Sequence, residues 1–171
     1  MDLKAVMSKA NASGVHRWLL NMALNRMVPF NSPHGFKVVE TGDGYLKTLL
    51  PYRKKNFNHI RGLHACALAT ISEFTTGLLL LTRLDQKKYR LIMQRLEMDY
   101  HYQGKMDAVA TFSISDEWLQ EKIYTPLRTD DSVVVVCEIK IHDVKGNHLT
   151  TGHVHWQIKD WEKVKTKVSG A

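Results

Sequence analysis

Polar and apolar residues alternate with a period of two along four stretches in the second half of the chain. In 95–102, Leu96, Met98, Tyr100 and Tyr102 interleave with Arg95, Glu97, Asp99 and His101. In 108–115, Ala110, Phe112 and Ile114 share one face. In 132–143, Cys137, Ile139 and Ile141 oppose Glu138, Lys140 and His142, and in 152–160, Val154, Trp156 and Ile158 oppose His153, His155, Gln157 and Lys159. This alternation predicts strands of an antiparallel sheet with one buried face. "VKGNH" at 144–148 reads as the turn between the last two strands, and "FKVVETGDGYLKTLLP" reads as an earlier hairpin around Gly-Asp-Gly.

Helical spacing governs the rest. The first 28 residues read as helix, with Ser13 as an N-cap and Val15, Trp18, Leu19 and Met22 following at helical intervals. Pro29 ends that helix, and "FNSPHG" is a loop by its turn chemistry. A second helix runs from about His64 to Thr82; it is apolar almost all round, which predicts burial on most sides, yet it carries one carboxylate, Glu73. "SDEWLQEKIYT" at 115–125 reads as a short surface helix. An antiparallel sheet with one apolar face needs a cover, and the single apolar helix is the one available. The expectation is an α+β fold in one domain, 1–171: a helical extension over 1–28, then a core over 36–160 in which the sheet wraps round the helix.

Composition excludes several classes. The apolar 44% and charged 24% are those of an ordinary globular protein. Cys66 and Cys137 form no CxxC pair, which argues against a disulfide scaffold or zinc knuckle and for a reducing compartment; the apolar neighbours of Cys66 suggest a small core residue. No secretory signal core precedes residue 14, and "TTGLLLLT" is far too short to span a bilayer, so a cytoplasmic, soluble chain with no membrane partner is expected. The net charge of +7 suggests an anionic partner. Nucleic acid is not expected, because no RNP-type aromatic motif, Cys2His2 spacing or GXXG clamp is present. His153 and His155 share a strand face without an acidic residue at a familiar ligand spacing, so no metal site is expected.

The segment "NHIRGLHACALATISEF" carries a resemblance. Asn58, five residues, His64-Ala65-Cys66-Ala67, five residues and Glu73 resemble the active-site segment of hotdog-fold thioesterases, notably the PaaI-like (phenylacetyl-CoA thioesterase-like) branch. That branch reads Asn, five residues, His-Gly-Gly, then Asp or Glu on the central helix. Pro51, Arg53, Asn56 and Asn58 also resemble the Pro-x-Arg-x3-Asn-x-Asn lead-in of an uncharacterised hotdog subfamily, with one residue's adjustment of spacing. The similarity covers roughly residues 17–160. It implies a hotdog fold, a homodimer or dimer of dimers, and hydrolysis of an acyl-CoA or acyl-carrier thioester with no cofactor beyond the CoA of the substrate.

The resemblance also assigns roles. Glu73 is implied as general base or nucleophile, acting across a dimer interface, with Asn58 and His64 orienting water or substrate. The N–H groups of Ala65 and Cys66 open the helix, where unpaired donors and the dipole would stabilise an oxyanion. Arg53, Lys54, Lys55 and Arg61 are the candidates for CoA phosphates. His-Ala-Cys in place of His-Gly-Gly puts two side chains where substrate approaches. That departure leaves a second possibility open: a hotdog protein that binds acyl-CoA or a fatty acyl ligand without turning it over.

Overall fold

The computed structural model describes residues 3–165, and only the backbone of Lys4. The first two residues of the expected helical extension and the end of the Lys-rich C-terminus lie outside the described residues. Two helices, α1 (Leu3–Ala12) and α2 (Gly14–Met27), precede a six-stranded antiparallel sheet of β1 (Lys37–Gly42), β2 (Tyr45–Leu50), β3 (Tyr89–Tyr100), β4 (Ala108–Ser113), β5 (Ser132–Asp143) and β6 (His148–Asp160). Helix α3 (Ala65–Arg83) joins β2 to β3, and a short α4 (Asp116–Leu119) follows β4. The strand order is β1-β2-β4-β5-β6-β3, so the chain crosses the sheet along α3 and returns through β4.

Helix α3 is the centre of the core. It packs against β2, β3, β4, β5 and β6, and Ile71, Leu79 and Leu80 are fully covered. Its length and hydropathy would suit a membrane span, but here the sheet wraps it. The inward residues of the interior strands are those that alternation selects: Ala110, Phe112, Cys137, Ile139, Ile141, Val154, Trp156 and Ile158 are all buried. Burial pushes the Cys137 thiol up to about 12. Buried hydroxyls on α3 find partners: Thr75 meets Thr48 at 2.6 Å, and Thr76 accepts from Trp156 Nε1 at 3.0 Å. Gly77 is required beside that indole, because a Cβ there would stand 2.6 Å from the Trp156 ring. At the C-terminus of α3, Arg83 pairs with Asp43 of the β1–β2 turn and with Asp116 of α4, where a cation also complements the helix dipole.

Three local expectations need correction. The N-terminal segment is two helices, because Ser13 takes an extended conformation between them, without a side-chain cap. The stripe Val15, Trp18, Leu19 and Met22 faces outward, and Leu20 and Leu24 are the buried residues of α2. A helix apolar on two faces gives periodicity no means of choosing between them. In β3, a bulge between Met93 and Arg95 shifts the register; Tyr100 at its end is 49% exposed because this is an edge strand, and Tyr102 lies beyond the strand at 57%. The other edge, β1, is protected: Asn21 of α2 donates to Val38 O at 3.1 Å and accepts from Val38 N at 2.7 Å, as a neighbouring strand would.

Candidate active site

The loop from Pro51 to His64 is built round one buried amide. Asn56 is 1% exposed; its Nδ2 donates to Pro51 O at 2.9 Å and His34 O at 3.0 Å, and its Oδ1 lies 3.0 Å from His34 Nδ1. Two donated bonds fix the orientation of the amide, so the His34 Nδ1 must carry the proton. The Asn56 carbonyl accepts from His64 N at 2.8 Å, which anchors the start of α3 to the same hub. Asn58 closes the tip: its Oδ1 accepts from Ile60 N at 3.1 Å and Gly62 N at 2.9 Å, while Arg61 adopts a left-handed φ of 59°. The Asn58 carbonyl oxygen is therefore committed to loop geometry, and its Nδ2 has no partner among the described residues.

His64 is the N-cap of α3. Its Nδ1 accepts from Cys66 N at 3.0 Å, which places the proton of the neutral ring on Nε2. The Cys66 N–H is thus occupied, and the Ala65 N–H is the donor left open at the helix start. The Tyr100 hydroxyl donates to Ala65 O at 3.0 Å and holds this turn against the end of β3. Cys66 is exposed, against the expectation of a core residue, because the first turn of α3 projects beyond the sheet that covers its middle.

Glu73 lies eight residues after Ala65, about 12 Å along the axis at the usual rise of a helix. Its carboxylate has no hydrogen-bond or ion-pair partner among the described residues. It lines a cavity of about 410 Å³, roofed by Leu3, Leu24, Met27 and Val28 of the N-terminal layer and walled by Leu78, Leu91 and Trp156. Burial in these apolar surroundings raises its pKa. A carboxylate shifted in this direction holds a proton more readily than a free one, as suits a base that takes a proton from water. Glu73 and the Ala65 N–H of one chain are too far apart to act on the same carbonyl.

The basic candidates diverge. Arg53 donates to Pro33 O at 2.6 Å and lines a separate groove beside α2, with Arg17 and Lys37. Lys54 and Lys55 are exposed on a single 3-10 turn, and Arg61 is exposed at the loop tip. Of the histidines, His155 Nε2 meets Glu97 at 2.8 Å and His153 Nε2 lies 3.6 Å from Glu138. No group of three or more His, Cys, Asp or Glu among the described residues could hold a metal ion.

The structure adds two polar residues that the motif does not contain: Gln86, whose Nε2 donates to Leu81 O at 2.9 Å, and Asn31. Asn31 is 4% exposed, lines the Glu73 cavity, and its side-chain amide has no partner among the described residues. It stands forty-two positions before Glu73, in a loop whose turn residues mask it; no spacing connects the two.

A family model described as a domain of unknown function, DUF4442, matches residues 16–164. A comparison with curated proteins gives no match. Among solved structures, a Pseudomonas aeruginosa protein of unknown function named a probable thioesterase superposes with a TM-score of 0.74 at 20% identity, over 80% of this chain and 90% of its own. A Staphylococcus aureus thioesterase aligns at 0.61 and 18% identity, over 76% of this chain and 98% of its own. A Haemophilus influenzae thioesterase aligns at 0.63 and 10% identity, over 80% and 88%. The fold held in common, a long antiparallel sheet round a central helix, is the hotdog fold.

Proposed function

The chain belongs to the DUF4442 family, and from its likeness in fold to solved thioesterases and the setting of Glu73 we propose that it hydrolyses an acyl thioester, acyl-CoA or acyl-carrier, as a cytoplasmic homodimer or dimer of dimers. The observation that carries this proposal is a carboxylate of the central helix that has no partner among the described residues, is raised in pKa by burial, and lies on the wall of an apolar cavity. A structural Glu would be expected in an ion pair or in open solvent.

In the proposed reaction the acyl chain occupies the Glu73 cavity, and the thioester carbonyl faces the start of α3 of the second subunit. That pairing is needed because one chain holds the two groups about 12 Å apart. Glu73 takes a proton from water, the resulting hydroxide attacks the carbonyl carbon, and the oxyanion is held by the Ala65 N–H and the helix dipole. Collapse breaks the C–S bond, and the thiolate leaves with the proton from Glu73. Direct attack by Glu73 on the carbonyl carbon would instead break the C–S bond, expel the thiolate and leave a mixed anhydride, which water opens to the free acid and Glu73, the released proton going to the thiolate. For Cys66 N–H to join the oxyanion site, the His64 ring must first release it. Asn31 would orient the water beside Glu73, and Lys54, Lys55 and Arg61 would meet CoA phosphates outside the cavity, with Arg53 held by Pro33 O in the neighbouring groove.

The edge strand β3 supports the dimer. Ile92 and Met93 are 49% and 40% exposed there, beside unpaired backbone groups that a second copy of the strand would satisfy. The capped Cys66 N–H supports the second possibility, an acyl-CoA or fatty-acyl binding protein that does not turn its ligand over. A panel of acyl-CoAs with free-thiol detection separates the two. Thiol release catalysed in proportion to enzyme supports hydrolysis; tight binding across the panel with no release supports the binding protein.

A further inference from the structure

Helix α2 has a second apolar face that nothing among the described residues covers. Leu20 and Leu24 point inward at 2% and 8% exposure, whereas Val15, Trp18 and Met22 on the opposite side are 67%, 59% and 51% exposed. Single exposed apolar residues are ordinary, but a continuous side of one helix marks a contact surface. Beside this face runs a groove of about 700 Å³ lined by Trp18 and Met22 together with Arg17, Lys37 and Arg53.

The charge pattern selects the partner. Residues 3–39 contain Lys4, Lys9, Arg17, Arg26 and Lys37 and no Asp or Glu. The first acid after them, Glu40, is engaged by the Tyr45 hydroxyl at 2.6 Å and Lys47 Nζ at 2.8 Å. We propose that this face docks on an anionic lipid bilayer, with α2 lying in the interfacial plane. Val15, Trp18 and Met22 enter the acyl boundary, and Arg17, Arg26 and Lys37 meet headgroup phosphates. Trp suits that depth, since its ring is apolar and its N–H polar. A second copy docked on the same face by a two-fold axis would instead oppose two acid-free basic surfaces. Hydropathy run length tests only for spanning segments, which is why the sequence pattern leads to no membrane partner. The inner side of α2 roofs the Glu73 cavity through Leu24 and Met27, so the bilayer would lie roughly one helix diameter, about 10 Å, from that cavity.

The test is flotation of the full chain with vesicles of phosphatidylcholine alone and of phosphatidylcholine mixed with phosphatidylglycerol. The chain should float with the anionic vesicles, weakly or not at all with the neutral ones, and less in high salt. Arg26→Gln with Lys37→Gln should weaken binding about fivefold for each charge removed. Trp18→Gln with Met22→Gln should weaken it at least about tenfold, with an unchanged circular dichroism spectrum because both side chains are exposed. Equal binding to neutral vesicles, binding to neither, or double variants that float like wild type would each overturn the proposal. So would a loss of self-association in the Trp18/Met22 variant, which would assign the face to a second copy. Retention on polyglutamate without flotation would assign it to an acidic protein and overturn it equally.

Discussion

Asn56→Ala offers a test of how the loop before α3 is held. The substitution removes two donated hydrogen bonds and one accepted bond, and it leaves the carbonyls of His34 and Pro51 and the His34 Nδ1–H without partners in a site that is 1% exposed. At about 1 kcal/mol net for each bond, the cost is about 3 kcal/mol. For a domain of this size that corresponds to a melting temperature lowered by about 6–12 °C. Denaturant unfolding should show the midpoint displaced at an unchanged slope, since the surface exposed on unfolding is the same. Asn58→Ala is the control: it loses two bonds at a half-exposed tip where water can replace them, and should cost about 1 kcal/mol or less. An Asn56→Ala protein within about 0.5 kcal/mol of wild type, or one no less stable than Asn58→Ala, would refute the hub.

Other outcomes follow from the same structure. Because burial raises the Glu73 pKa in the folded state, its contribution to stability is full below the ordinary glutamate range and is lost as pH rises through the raised value; Glu73→Gln should leave stability unchanged in acid and increase it at neutral pH, as denaturant titrations at the two pH values would show. Met93→Asp on the β3 edge should convert a dimer to a monomer in sedimentation equilibrium, and an unaltered dimer would place the interface elsewhere. Reversing Lys54, Lys55 and Arg61 to Glu should weaken acyl-CoA binding, and added salt should weaken wild-type binding in the same direction while leaving the turnover step nearly unchanged; an affinity indifferent to both would return these residues to the solvated surface.

The interior of the sheet was legible because its strands obey one rule. β5 and β6 pair on both sides, so the side chains facing α3 alternate without interruption from Val135 to Ile141 and from Val154 to Ile158. β3 breaks the rule because it pairs on one side only, which leaves Tyr100 half exposed, and because a bulge between Met93 and Arg95 interrupts its register. Helix α2 defeats periodicity for a different reason: both its faces are apolar, and the side that turns inward is the one whose Leu20 and Leu24 join the core and whose Asn21 meets Val38. At the site, His64 as the start of α3 and Glu73 as its one carboxylate could be read from local sequence. The capping of Cys66 N–H by His64 could not, since it depends on a side-chain rotamer. Nor could the meeting of Asn31 with Glu73, which depends on how the 28–35 loop folds over the helix.

The central claim is that Glu73 performs chemistry, and the direct measurement is the single-turnover rate of thiol release by Glu73→Gln on the best acyl-CoA of the panel. Gln keeps the shape of the side chain but cannot accept the proton of water or attack a carbonyl. The rate should fall by roughly 10²–10⁴-fold while ligand affinity stays near wild type. Release at the wild-type rate by a folded Glu73→Gln protein would contradict the account.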